Sequence, residues 1–330
     1  MIKRSEDELE EERCNRINES PYINSNLLIN PDFSINQRGK VKYIGNIYGV
    51  DRWQGTQGSN ITVVENGIKT ECFDDTHNQG VKQYIECNMD LLVGKTFTLS
   101  LEVDTTGIPD EYINVSSKNH WFSINDVVTR ISVKEKKSSE ILTFSGVIQY
   151  NTGNYKPYLL VRLNTLTGTI IKWAKLELGS VATPFVPPDR ATELLKCKRY
   201  YQKVHELRDK SAGTFSKISY IFTFKDYFIY GSGNVKNYIY CRESYYPQMR
   251  TIPTAKLVGT AQSDQGYYIG YIKGGSIDNS KEWIFTINAD MQHISIGINE
   301  KNGNITDEDF NKKCLYFAKN CYVELDAEIQ

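Results

Sequence analysis

The residues best suited to catalysis stand in surroundings that do not support it. Val93-Gly94-Lys95-Thr96 ends like a phosphate-binding loop, but Met89 stands where the first glycine belongs and a strand pattern follows instead of a helix. His205-Glu206 lacks the second histidine, four residues after the first, that a helical zinc site requires. The four histidines, His77, His120, His205 and His293, are scattered, and no G-x-S-x-G elbow occurs. Two carboxylates for glycoside hydrolysis could meet in space, but no spacing selects a pair over solvated surface. Asn302–Asp309 holds several oxygen donors without the spacing of a calcium loop; a turn followed by a helical turn capped by Thr306 and Asp309 suits it better. The expectation is no catalytic residue, no cofactor and no metal, with glycan depolymerase as a third functional reading.

Binding is the chemistry that the side chains do suit. Sugars are held by aromatic rings against their apolar faces, with polar groups at the edges. Trp121 follows the loop-like Ser116–Asn119, and Tyr155 and Tyr158 flank Pro157. Tyr245-Tyr246 lies close after Tyr238 and Tyr240, and Tyr267-Tyr268 follows a glycine-containing loop. Adjacent residues on a strand face opposite sides, so one ring of each tyrosine pair points outward. Trp121, Tyr155, Tyr158, Tyr245, Tyr246, Tyr267 and Tyr268 are therefore the glycan-binding candidates. For any single tyrosine, a place at a core edge or a subunit interface is the more ordinary use of such a ring.

The elements that must position these rings are strands. With 22 Tyr and 13 Phe against 4 Met, the composition favours sheets. A length of 330 residues accommodates two domains with separate cores. A net charge of -1 gives no overall basic field, so nucleic acid is not an expected partner. Seven cysteines, an odd number with no C-x-x-C pair, argue against a zinc site or a disulfide framework and for folding in a reducing cytoplasm. Frequent Asn, Ile, Lys and Tyr, whose codons are AT-rich, suggest a low-GC bacterium or its phage. Met1–Glu12 is acidic without the apolar run of a secretory signal, and no stretch approaches the roughly 20 apolar residues of a membrane span, so membrane insertion is not expected.

Four segments follow from the change of period along the chain. Residues 1–24 are expected as an N-terminal helical arm, opened by a Ser5/Glu8 capping box and either solvated or docked on a neighbour. Residues 25–187 alternate apolar and polar in many short runs, such as Phe97, Leu99, Leu101 and Val103, which predicts an antiparallel β-sandwich of jelly-roll type. Residues 188–208 are expected as a connecting α-helix capped by Asp189, with Leu194, Cys197, Tyr201 and Val204 in one stripe. Residues 209–330 return to period two and predict a second antiparallel β domain, closing on Val323, Leu325, Ala327 and Ile329. The fold class is thus mainly β.

Two stretches carry a resemblance. One is Asn26-Leu-Leu-Ile-Asn-Pro-Asp-Phe-Ser-Ile-Asn-Gln-Arg-Gly39 with Asp51-Arg52-Trp53. The other is Trp173-Ala-Lys-Leu-Glu-Leu-Gly179 with Ala182-Thr-Pro-Phe185, then Glu193-Leu-Leu-Lys-Cys-Lys-Arg-Tyr-Tyr-Gln202. In combination, and with Tyr246–Pro253, they resemble tail-fibre and receptor-binding proteins of tailed bacteriophages, in which such motifs bracket a jelly roll like carbohydrate-binding modules. The resemblance implies a virion protein, made in the host bacterial cytoplasm, that attaches to bacterial surface carbohydrate. It also implies a homotrimer, for which Leu194, Cys197, Tyr201 and Val204 are the seam candidates, and contacts of the N-terminal arm with other tail or baseplate proteins. The alternative is a structural baseplate, tail or capsid-decoration subunit that uses the jelly roll for assembly. Physically, Asn30, Asn36, Arg38, Asp51, Arg52 and Trp53 suit a structural motif: Asn30-Pro31-Asp32 sets a turn, and Arg38 or Arg52 could stack on Trp53.

Overall fold

The computed structural model describes residues 25–72, 79–150, 158–204, 218–223, 227–230, 238–258, 271–273, 276–278, 283–300, 314–318 and 322–329. The expected arm over 1–24, the 302–309 loop, His205-Glu206, Tyr155, Tyr267 and Tyr268 lie outside the described residues.

Period-two alternation becomes two sheets. The strands are β1 (Lys42–Ile44), β2 (Gln54–Gly55), β3 (Ser59–Val64), β4 (Gly67–Cys72), β5 (Gln79–Glu86), β6 (Thr96–Asp104), β7 (Asn119–Ile124), β8 (Val127–Ser132), β9 (Glu140–Val147), β10 (Tyr158–Thr165) and β11 (Ile170–Leu178). One sheet has the order β1-β3-β4-β11-β6-β9 and the other β2-β5-β10-β7-β8, with every pairing antiparallel. The chain crosses between sheets repeatedly, as in a jelly-roll sandwich. Phe97, Leu99, Leu101 and Val103 of β6 are buried, and they meet Val81, Phe122, Ile124, Leu159, Val161 and Leu163 from the facing sheet in one core. Asn125, at φ 49°, makes the tight turn between β7 and β8, a conformation that Asn tolerates better than most residues.

The connecting helix is shorter than its sequence predicts. It covers Arg190–Lys198, with the Asp189 side chain accepting from the Thr192 N–H at 2.8 Å. Residues Tyr201–Val204, expected to continue it, instead form strand β12. Two consecutive aromatic residues, Tyr200-Tyr201, are weak helix formers. An extended chain there pairs along Tyr322–Asp326, from Tyr201↔Asp326 to Val204↔Val323, and tertiary pairing overrides the three-four spacing. Leu194, Cys197, Tyr201 and Val204 therefore do not share one helical stripe. Cys197 and Tyr201 are buried within this chain, which removes them as a seam between copies.

The C-terminal β region continues with β13 (Ile218–Thr223), β14 (Tyr227–Tyr230), β15 (Tyr238–Ser244), β16 (Thr254–Val258), β17 (Tyr271–Lys273), β18 (Ser276–Asp278), β19 (Trp283–Ala289), β20 (His293–Glu300), β21 (Cys314–Ala318) and β22 (Tyr322–Asp326). Its sheets have the orders β12-β22-β16, β13-β21-β17-β18 and β14-β15-β20-β19. Val323, Leu325, Ala327 and Ile329 are buried, as their alternation predicts.

The sequence motifs converge where the sandwich meets β12 and β22. Asn30 is fully buried; its amide donates to the carbonyls of Ile35 (2.8 Å) and Asp51 (3.0 Å) and accepts from the Ile35 N–H (2.9 Å). Gln37 donates to Asp51 Oδ2 (2.6 Å) and to the Tyr201 carbonyl (2.8 Å). Arg52 and Glu328 form an ion pair with both side chains buried, and Arg52 also donates to the Tyr84 carbonyl at 2.5 Å. Arg38 reaches Asp326 at 3.2 Å and Glu328 at 3.8 Å. Neither arginine stacks on Trp53, as the sequence had suggested. Arg52 lies 3.4 Å over the Tyr200 ring and Arg38 3.8 Å over Tyr201. Trp53 sits deeper: its ring packs on Phe33 at 5.0 Å and its N–H donates to the Asn30 carbonyl at 2.8 Å. The guanidinium groups turn instead toward the carboxylates of the C-terminal segment, which pair their charge while Arg38 Nη1 and Arg52 Nε are left without a hydrogen-bond partner among the described residues.

The second motif is a strap. Lys175 and Glu177 pair at 3.2 Å with both side chains buried, and Glu177 accepts from the Thr183 N–H (2.9 Å) and hydroxyl (2.6 Å). Phe185 is half-buried and stacks on Trp173 at 4.6 Å; Leu176 is buried and Leu178 packs against the core edge.

Removing one partner of a buried ion pair leaves an uncompensated charge, whereas replacing both by apolar residues leaves none. Arg52→Met should cost about 3–5 kcal/mol in denaturant unfolding, and Arg52→Met with Glu328→Leu should recover much of that loss. Additive losses in the double variant would contradict this view of the pair.

Candidate functional site

The outer face of the five-stranded sheet carries a cleft of about 850 Å³. Its floor follows from register. Inward residues of β5, β10 and β7 (Val81, Leu163, Phe122) are buried in the core, so the alternate residues face out. One row across the sheet reads Gln54, Lys82, Arg162, Ser123, Val128. The next reads Gly80, Asn164, Trp121, Arg130. Trp121 thus lies between Asn164 and Arg130 and diagonal to Arg162, with its ring half-buried. Loop residues Asn46, Thr56, Gln57, Ser116 and Ser117 wall the cleft, together with Gln79 and Asn119 at the first positions of β5 and β7. Asn119 is held by bonds to the Ser116 carbonyl (2.9 Å) and from the Ser132 hydroxyl (2.5 Å).

Trp121 is stiffened from below. Its chain neighbours His120 and Phe122 both point into the sandwich and stack at 5.9 Å. His120 Nδ1 accepts from the Leu166 N–H at 3.2 Å, and burial pushes the imidazole down to about 4. His120 is therefore neutral and belongs to the core, with no part in acid–base chemistry at the cleft.

The sequence candidates separate in space. Trp121 alone of the described candidates lines the cleft. Tyr158 is half-buried at the junction with the C-terminal region: its hydroxyl accepts from Arg250 at 3.2 Å and its ring meets Tyr84 edge-on at 6.3 Å. The same Arg250 pairs with Glu86 at 2.5 Å. Tyr245 donates to the Asp290 carbonyl, and burial lifts its hydroxyl to about 12. Tyr246, beside it, is 77% exposed just before a cis peptide bond to Pro247. Sequence reasoning missed Lys82, Arg130, Arg162, Asn164 and Gln79. The signal was present as the polar alternates of strands already recognised, but which strands are neighbours had to be known before those residues formed one surface.

Among the described residues no group of three or more His, Cys, Asp or Glu could hold a metal ion. Cys87 and Cys197 are free thiols, and burial pushes the Cys197 thiol up, which makes it inert packing. Among the described residues no helix is long and apolar enough to cross a membrane.

Fold and cleft define a two-sheet antiparallel sandwich with a polar, aromatic-floored outer face. No protein-family model matches the chain, and no curated protein matches it. Among solved structures, the CBM22-1 xylan-binding domain of Paenibacillus barcinonensis Xyn10C is similar at 12% identity and a TM-score of 0.28, covering 49% of this chain and 100% of that one. The CBM22-1–CBM22-2 tandem domain of the same protein gives 9% identity and a TM-score of 0.29 over 94% of this chain and 100% of that one. Discoidin II of Dictyostelium discoideum gives 11% and 0.19 over 78% and 81%. Likeness at this level decides nothing about ligands, and the fold assignment rests on the strand pairings themselves.

His120 gives the core a pH signature. Its folded-state value lies below the ordinary histidine value, so its contribution is fully present above about pH 6.5 and is lost as pH falls through about 4. Asp51 acts oppositely: burial lifts it to about 7, only partly offset by Arg38 and Gln37, so its contribution is lost as pH rises toward 7. The two mask each other in the native chain, and a variant separates them. Between about pH 6.5 and 4, His120→Gln should lose less stability than the native chain by on the order of 3 kcal/mol. Parallel unfolding profiles would contradict a buried neutral His120.

Proposed function

We propose that this chain is a non-catalytic glycan-binding virion protein, a tail-fibre or receptor-binding protein that attaches a tailed bacteriophage to carbohydrate on a bacterial surface. The observation that carries the binding role is the half-buried Trp121 ring on the floor of a cleft walled by amides, hydroxyls and cations. A flat apolar ring fixes the face of a sugar, and the surrounding donors and acceptors match its hydroxyl groups. The phage assignment is supported by the resemblance of Asn26–Gly39, Asp51–Trp53 and Trp173–Gln202. Assembly as a homotrimer, with residues 1–24 contacting other tail or baseplate proteins, belongs to the same proposal.

A structural subunit is the second reading, favoured by one feature. Val41, Ile44 and Ile47 are exposed at the β1 edge of the six-stranded sheet, and Ile141 and Val147 on its β9 edge. Open apolar edges of this kind suit neighbours in an assembly.

Trp121→Ala tests the binding role. Labelled full-length protein should bind cells of a susceptible low-GC bacterial strain, and the variant should lose at least about tenfold in affinity without a change in thermal midpoint. Bare cells with the native protein would favour the structural reading. Undiminished binding by the variant would move the site away from the cleft.

A further inference from the structure

We infer that the Trp121 cleft takes a negatively charged glycan, one whose repeating unit bears a carboxylate or phosphate. This rests on the glycan-binding reading of the cleft and names the ligand class. Lys82, Arg130 and Arg162 all line the cleft, and no described carboxylate does. Elsewhere the fold satisfies its sequestered cations with carboxylates: Arg38 with Asp326, Arg52 with Glu328, Lys175 with Glu177 and Arg250 with Glu86. Among the described residues, Lys82, Arg130 and Arg162 form no ion pair.

Two of these cations are placed at a cost. Lys82 and Arg162 are direct partners in the β5–β10 register, and like charges directly opposite each other destabilise a sheet. Both are half-buried, which weakens the screening of their repulsion. Lys82 also lies 5.6 Å over the Tyr84 ring, a weak contact that supplies no opposite charge. An anion bridging them would turn the repulsion into two charge-assisted contacts. With a whole-chain net charge of -1, the positive character is local to the cleft.

The arrangement also contains an unfilled acceptor. Asn164, 7% exposed and paired across the sheet with Trp121, has an Oδ1 atom without a hydrogen-bond partner among the described residues. A buried amide oxygen left unmatched is costly, and a sugar hydroxyl lying on the Trp121 ring is a suitable donor to it. Arg130, roughly 10 Å from Arg162 across two strand spacings, stands on the far side of the ring. A sugar centred on Trp121 would thus have a cation at each flank. A single aromatic ring on an open cleft floor, without an extended basic track or a series of stacking rings, favours a glycan over a nucleic acid strand.

The test uses the full chain and four probes in calorimetric titration: hexagalacturonate, a glycerol-phosphate polymer, neutral xylohexaose and a single-stranded oligonucleotide. At least one of the two anionic sugar-type probes should bind about tenfold or more tighter than xylohexaose, and its affinity should fall with salt. Carboxylate and phosphate sources are separated by which of the two is preferred. Arg162→Gln and Lys82→Gln should each weaken that anionic ligand about tenfold more than they weaken xylohexaose, and preserve or raise the thermal midpoint, because the cross-strand repulsion is relieved. If xylohexaose binds as well as the anionic probes through Trp121, the charge inference fails while the glycan reading stands. If no glycan probe binds, both fail. Equal binding of the oligonucleotide overturns the assignment to a glycan.

Discussion

The buried contact between Arg52 and Glu328 ties the sandwich to the C-terminal segment. It joins residues far apart in sequence, and neither charge has water to fall back on. Its cost is met by a ring of further interactions: Tyr200 under the guanidinium, the Tyr84 carbonyl accepting from it, and Arg38 shared among Asp51, Asp326 and Glu328. A buried pair of this kind contributes little net stability compared with apolar packing, but it tolerates only one arrangement. It fixes the C-terminal segment, the Tyr200-Tyr201 dipeptide and the turn around Asn30 against one another.

That fixation has a consequence for the cleft. Tyr84, held by Arg52 through its carbonyl, lies on β5, the strand that presents Lys82. Glu86 on the same strand is gripped by Arg250 and Tyr200, whose hydroxyl donates to it at 2.9 Å. The junction therefore consumes the acidic end of β5, and the opposite end is left cationic. One strand serves two surfaces, with carboxylate chemistry at the junction and cation chemistry at the cleft. The rigidity of the floor comes from the core beneath, where His120 and Phe122 stack and leave Trp121 with restricted freedom.

Much of this was legible in the sequence, and the gaps have physical causes. Alternation identified the inner faces of β6 and the closing segment Val323–Ile329 because burial on one side of a strand leaves a period of two. The sandwich followed from many such runs without helical pattern. The stripe Leu194–Val204 misled because spacings of three and four also occur by chance in a helix followed by a turn and a strand. Pairing with β22, which no local pattern shows, settled the last part as extended. Arg38 and Arg52 belonged to a structural motif, but their aromatic partners came from Tyr200 and Tyr201, more than a hundred residues away. Trp121 was visible as a ring after a loop. Lys82, Arg162 and Asn164 were not, since each is unremarkable in its own strand and acquires meaning only through register with β5, β7 and β10.

The decisive measurement is a crystal structure of the full chain with the preferred anionic probe, hexagalacturonate or the glycerol-phosphate polymer, bound. A sugar unit lying on Trp121, a hydroxyl donating to Asn164 Oδ1, and a carboxylate or phosphate within hydrogen-bond reach of Arg162 or Lys82 are expected. Sugar density over Tyr246 or along the sheet edges, with the Trp121 cleft empty, would contradict this.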